Sequence, residues 1–137
     1  MTTEEVLLQT SSGETLGYNG NHDYIFTETL QEVNVKDRIV RMYQDVTADG
    51  LVSSAFAFTW RDSSRFLCVK DDKLQVEQIQ DDNPLKDRIY LFVWHNSGDA
   101  KCLVPLNKPK YFICKEDMNI LLGTEDDSPL PLKITKV

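Results

Sequence analysis

The chain has 137 residues, with 15 Lys and Arg against 22 Asp and Glu, so its net charge is −7. That length fits one domain, and 41% apolar with 27% charged residues is a globular composition that excludes a disordered tail. An acidic surface repels phosphate backbones and anionic lipid, which excludes nucleic acid, heparin-like polymers and membranes as expected partners.

Period-two alternation dominates along the chain, and helical spacing is scarce. The N-terminus, Met1-Thr2-Thr3-Glu4-Glu5, has no basic region followed by an apolar run, so no secretory signal peptide is expected. No run reaches the roughly 18 apolar residues of a membrane span. The best helical window, Glu28 to Val35, has only Leu30 as a strong apolar helix former. About twelve strands are predicted, near 5–10, 14–19, 23–30, 37–45, 51–60, 65–70, 73–79, 87–95, 99–106, 110–115, 118–124 and 130–136. Turn residues separate them: Ser12-Gly13, Asn19-Gly20, Asp49-Gly50, Arg61 to Ser64, Asp71-Asp72, Asp81 to Pro84, Ser97 to Asp99, Lys108-Pro109 and Asp126 to Pro129. Phe56-Ala-Phe58-Thr-Trp60 sets three aromatics on one face. Ile89-Tyr-Leu91-Phe-Val93-Trp-His95 is apolar on both faces, as a strand between layers is.

The strands repeat. Lys36-Asp37-Arg38-Ile39 recurs as Lys86-Asp87-Arg88-Ile89, and Leu132-Lys133-Ile134 is a weaker third copy. Arg65-Phe66-Leu67-Cys68 has its counterpart in Lys110-Tyr111-Phe112-Ile113-Cys114. Units near 5–45, 51–95 and 99–136 divide the chain evenly. The pattern predicts an all-β β-trefoil of three four-strand repeats, a closed form that removes exposed sheet edges. An eight- to ten-stranded barrel or sandwich is the alternative. Ile39, Ile89 and Ile134 are expected at equivalent positions, as are Phe66 and Phe112. Phe58, Phe66, Leu91, Val93, Phe112, Leu121 and Ile134 are expected to be buried.

The residue chemistry points to no enzyme. His22 reads as a solvated loop residue and His95 as a strand end, and no Cys-x-x-Cys or His-x-x-x-His spacing suggests a metal. Neither metal nor cofactor is expected. Cys68, Cys102 and Cys114 are an odd set, read as free thiols from a reducing compartment, with Cys102 the more exposed. The acidic pairs Asp71-Asp72 and Asp81-Asp82 read as solvated turns and do not match a calcium loop. No phosphate loop and no Gly-x-Ser-x-Gly occurs. What remains is a scaffold that presents loops.

From about residue 37 onward the chain resembles the interleukin-1 cytokine family. Phe66-Leu-Cys-Val-Lys-Asp-Asp-Lys-Leu-Gln-Val-Glu77 is similar to that family's central strand, Lys-Asp-Asp-Lys turn and following strand. Asp87-Arg-Ile-Tyr-Leu-Phe-Val-Trp-His95 resembles its Arg-Phe-x-Phe strand. Lys108-Pro-Lys-Tyr-Phe-Ile-Cys114 resembles its Phe-Pro-x-Trp-Tyr signature. Ile120 to Thr124 and Leu132-Lys-Ile134 are similar to its closing strands. Two departures mark a divergent member of unassigned branch: Cys102-Leu103-Val104 precedes Pro105 where the family has Phe-Glu-Ser, and Lys115 stands for Thr.

The resemblance implies a β-trefoil cytokine that acts in immunity and inflammation. It implies cytosolic synthesis and release without a signal peptide, either as a processed form or as a naturally short member. The implied partners of the monomer are the immunoglobulin-like ectodomains of a primary and an accessory receptor chain. Matching the family's hairpins selects Asp45, Thr47, Asp49, Arg61, Asp62, Asp82, Lys86, Asn107 and Lys108 as receptor contacts, with Glu125, Asp126 and Asp127 in the last hairpin as contacts to the second chain. An agonist is the expectation, because agonists outnumber antagonists in the family; a receptor antagonist is the alternative. From other classes, a β-trefoil binding module or protease inhibitor, or an intracellular trefoil scaffold, also fits the composition.

Overall fold

The computed structural model describes residues 1–21, 25–29, 32–46, 48–79, 83–97, 100–124 and 126–137. Among them run twelve strands: β1 (Thr2–Thr10), β2 (Glu14–Tyr18), β3 (Ile25–Thr29), β4 (Val40–Val46), β5 (Val52–Trp60), β6 (Ser63–Lys70), β7 (Lys73–Glu77), β8 (Phe92–Ser97), β9 (Ala100–Pro105), β10 (Phe112–Glu116), β11 (Asn119–Gly123) and β12 (Leu132–Lys136). The protein is all-β, and each strand falls on a predicted span.

Two spans begin later than predicted. Glu32–Arg38 forms a 3-10 helix ahead of β4, and Arg88–Tyr90 a shorter one ahead of β8. The Asp87 carboxylate accepts the Ile89 amide at 3.1 Å, which satisfies an amide that a strand would have given to a ladder. Both Lys-Asp-Arg-Ile segments therefore lie at helical turns that lead into strands, not inside the strands.

Six strands close a ring, in which each neighbour is antiparallel: β1, β4, β5, β8, β9, β12 and back to β1. Its register repeats. Val40 is paired with Val6 on one side and Phe58 on the other; Phe92 with Ser54 and Pro105; Leu132 with Lys101 and Thr10. Two residues along, Met42 faces Phe56, Trp94 faces Leu103 and Ile134 faces Leu8. Since side chains alternate across a strand, these positions all point inward. Val40, Phe92, Leu8, Phe56 and Leu103 are fully buried there, with Leu132 and Met42 nearly so.

The other six strands form the hairpins β2–β3, β6–β7 and β10–β11. Their inward residues Leu16, Ile25, Leu67, Leu74, Ile113 and Ile120 join the ring's core. Phe66 faces Glu77 and Cys68 faces Gln75; at the same spacing, Phe112 faces Gly123 and Cys114 faces Leu121. A second apolar cluster of Ala55, Ala57, Phe66, Cys68, Tyr90 and Leu91 packs separately from the main core.

Several expectations need correction. The ladders put Met42 and Trp94, not Ile39 and Ile89, in the place that Ile134 holds. The helical turn moves Ile89 out of the ladder. Phe58, Phe66 and Leu91 are buried, but Val93, Phe112 and Ile134 are only partly so, and Leu121 is 38% exposed. Leu121 lies between the inward Ile120 and Leu122, so alternation turns it to solvent. Cys102 is buried like Cys68 and Cys114, and all three thiols are free.

Candidate recognition site

The residues selected from sequence sit on separate turns. Asp45 is the next-to-last residue of β4, exposed, where its carboxylate accepts the Val46 amide at 2.9 Å and lies 4.0 Å from the N-terminal amine. Asp49 is also exposed, and its carboxylate accepts the Leu51 amide at 3.3 Å. Arg61 and Asp62 form the two-residue turn of β5–β6, with positive φ of 50° and 63° that match a hairpin's right-handed twist. Strand β5 separates Asp45 and Asp49 from this turn by roughly 27 Å at 3.4 Å per residue, so the two groups cannot share one small contact patch.

Lys86 is exposed beside Asn83, whose carbonyl accepts its amide at 3.4 Å. Asn107 has a buried side-chain oxygen with no hydrogen-bond partner among the described residues. Next to it, Lys108 lies 2.8 Å from Asp72, on the β6–β7 turn. This ion pair joins two segments far apart in sequence, and it raises the Lys108 amine above its ordinary value. The Asp127 carboxylate accepts the Thr124 amide at 2.9 Å, while Asp126 stands exposed. Thr47, Asp82 and Glu125 lie outside the described residues.

One groove, of about 500 Å³, gathers two of the selected residues with others that sequence reasoning did not join to them. Arg61 and Asp62 line it together with Tyr18, Trp60, Lys36 and Arg38. Trp60 is closely packed: Gly20, at φ +97°, lies so near that a Cβ there would come within 2.6 Å of the indole, and the Arg61 guanidinium stands 5.4 Å from the ring centroid. Tyr18 meets Trp60 edge-on at 6.0 Å and accepts a 3.3 Å hydrogen bond from Arg65. Arg38 pairs with Glu28 and covers the Phe26 ring. These residues come from four places along the chain. The only local hints in the sequence were the basic Lys36-Asp37-Arg38 run and an aromatic beside a turn.

Away from the groove, Glu77, Tyr90 and Lys70 form a polar cluster. The Tyr90 hydroxyl donates to the Glu77 carboxylate, and Lys70 lies 2.7 Å from it. Burial pushes the Glu77 carboxyl up, yet the bonds from Lys70 and Tyr90 outweigh that and hold it below its ordinary value. Burial, and then the bond to Glu77, push the Tyr90 hydroxyl up. Burial also pushes the Cys68 thiol up to about 12, so it is no nucleophile at neutral pH.

No family model and no curated protein sequence matches the chain. Solved structures do. An endo-β-galactosidase from Clostridium perfringens that releases GlcNAcα1-4Gal is 14% identical, over 97% of this chain and 32% of that one, with a TM-score of 0.70. A GH54 α-L-arabinofuranosidase is 11% identical, over 99% and 31%, with a TM-score of 0.70. The lysenin pore is 10% identical, over 98% and 46%, with a TM-score of 0.62. The chain thus spans a third to a half of these proteins' lengths. None of the three is an interleukin-1 family member, and at such identities the likeness describes the fold alone.

Proposed function

We propose that the chain is a β-trefoil cytokine of the interleukin-1 type. It acts outside the cell by binding the immunoglobulin-like ectodomain of one receptor chain and then recruiting a second, and it catalyses no reaction. The trefoil reading rests on the threefold recurrence of the ring's register at Val40, Phe92 and Leu132. The single observation that favours the receptor reading is the Asp72–Lys108 pair. It joins the Lys-Asp-Asp-Lys turn to the Lys-Pro turn, the two segments in which the resemblance is densest, and so supports one surface built from both. Recognition surfaces of this kind bury roughly 1,600 Å² and draw most of their affinity from a few anchors. The route to the outside is release from the cytosol without a signal peptide, in keeping with three free thiols. Signalling, not antagonism, is the proposed outcome.

A second reading, a glycan-binding module, takes its support from the glycosidases among the similar structures. Trp60 argues against it, since the Arg61 guanidinium stands over the ring and Gly20 lies close against the indole, which leaves less of it open to a stacking sugar. Immobilised ectodomains of interleukin-1-type receptors, run beside a glycan array, separate the readings. Saturable binding to one ectodomain is the expected result. Binding to glycans and to no ectodomain would sink the cytokine reading.

A further inference from the structure

The ring is not equally closed all round. Between β1 and β4 five residue pairs are in register, Thr2 with Gln44 to Val6 with Val40, whereas β5 and β8 share only Ser54 with Phe92, and β9 and β12 only Leu132 with Lys101. A cleft of about 570 Å³ opens at this seam. It is lined from both faces of β12, by Leu132 and Ile134 from the side that packs on the core and by Lys133 from the other. Ala100 and Lys101 of β9 line it as well, which places it where β9 and β12 share their single pair.

Its chemistry is one-sided. Trp94, Pro131, Leu132 and Ile134 supply an apolar floor, and Lys101 and Lys133 supply two amines. In a chain with 22 acidic residues, no carboxylate lines the cleft among the described residues, and neither lysine forms an ion pair there. Cations with no counter-charge among the described residues, beside a half-open apolar floor, are complementary to an anion that carries an apolar body. A bare anion would leave the floor wetted, and a neutral apolar molecule would leave both amines unmatched.

We propose that the β9–β12 seam binds a small amphipathic monocarboxylate, with its alkyl or aryl body against Trp94, Leu132 and Ile134 and its carboxylate between Lys101 and Lys133. This site is independent of the receptor reading. The test is a titration of the 15N-labelled chain with octanoate, kept below its micelle concentration, followed by amide and indole chemical shifts. Octanamide and inorganic sulfate are the controls. Saturable shifts at Lys101, Leu132, Lys133, Ile134 and the Trp94 indole are expected, with octanoate at least roughly tenfold tighter than octanamide and no saturation by sulfate. The double variant Lys101→Met and Lys133→Met, both exposed strand positions, should lose roughly tenfold in octanoate affinity and keep the dispersed spectrum of the folded chain. Absence of saturation, equal affinity for octanamide, or shifts centred on the Trp60 groove would each overturn the proposal. Those three results are read on the wild-type chain and need no variant to fold.

Discussion

The Lys108 amine lies 2.8 Å from the Asp72 carboxylate and so fastens the turn ahead of β10 to the tip of the β6–β7 hairpin. Both side chains are well exposed, so solvent screening leaves the pair little weight in stability. Its expected role is to orient two turns as one surface. Asp72→Lys and Lys108→Asp should each weaken receptor binding while urea midpoints barely move, and the double swap should recover part of the affinity. Binding that is unchanged in both single variants would show that the pair takes no part in recognition.

The expected last hairpin is instead a crossing loop, since β11 and β12 pair with other strands, and it divides its acids by role. Asp127 is committed to the Thr124 amide, so Asp127→Ala should lower stability by about 1 kcal/mol, seen in chemical denaturation. Asp126 is exposed and makes no such bond among the described residues, so Asp126→Lys should leave stability unchanged and reduce signalling more than binding. If Asp126→Lys signals normally, this loop does not recruit the second chain.

Core substitutions should follow the ring. Phe56 and Phe92 are fully buried with ring centroids 6.1 Å apart, and truncating either to Ala should cost about 3–5 kcal/mol in equilibrium unfolding. Leu121→Ala should stay within about 0.5 kcal/mol, because that side chain faces solvent. A large loss at Leu121 would contradict the register of β10–β11.

Stability should fall in acid through Glu77. Its carboxyl is held below the ordinary 4.5 by Lys70 and Tyr90, which outweigh its burial. A depressed carboxyl stabilises the fold above the unfolded-state value, and that contribution is lost as pH falls from about 4.5 through the folded value. Tyr90→Phe should cost about 2 kcal/mol at pH 7 and flatten this decline. Denaturation midpoints measured between pH 7 and pH 3 decide the matter, and an unaltered slope in the variant would remove Glu77 from the account.

The three thiols should alkylate slowly in the native chain and fully once it is unfolded, because all are buried and burial raises each of them. Mass spectrometry after native and denaturing alkylation reads this directly. Rapid native labelling at Cys102 would contradict its burial.

The strands were legible because alternation and turn residues are local signals. Phe56-Ala-Phe58 announces one face of β5, and Asp71-Asp72 announces a hairpin. The exact register was not legible. Lys-Asp-Arg-Ile marks a recurring helical turn, but in the second copy the Asp87 carboxylate caps Ile89, and the ladder starts only at Phe92. The Trp60 groove was legible only in part, at Arg61 and Asp62. Nothing local joins Tyr18, Lys36 and Trp60, which meet where β2 packs against the 3-10 helix and β5. The β9–β12 cleft escaped for the same reason, since a missing ladder pair leaves no mark in sequence.

The central claim is that this chain works as a receptor ligand, and a reporter cell line carrying both interleukin-1-type receptor chains tests it most directly. A signal that requires both chains and is blocked by the soluble ectodomain of the first is the expected result. Binding without signal, with blockade of a known agonist, would overturn the agonist reading. No signal and no competition on any receptor pair would contradict the account itself.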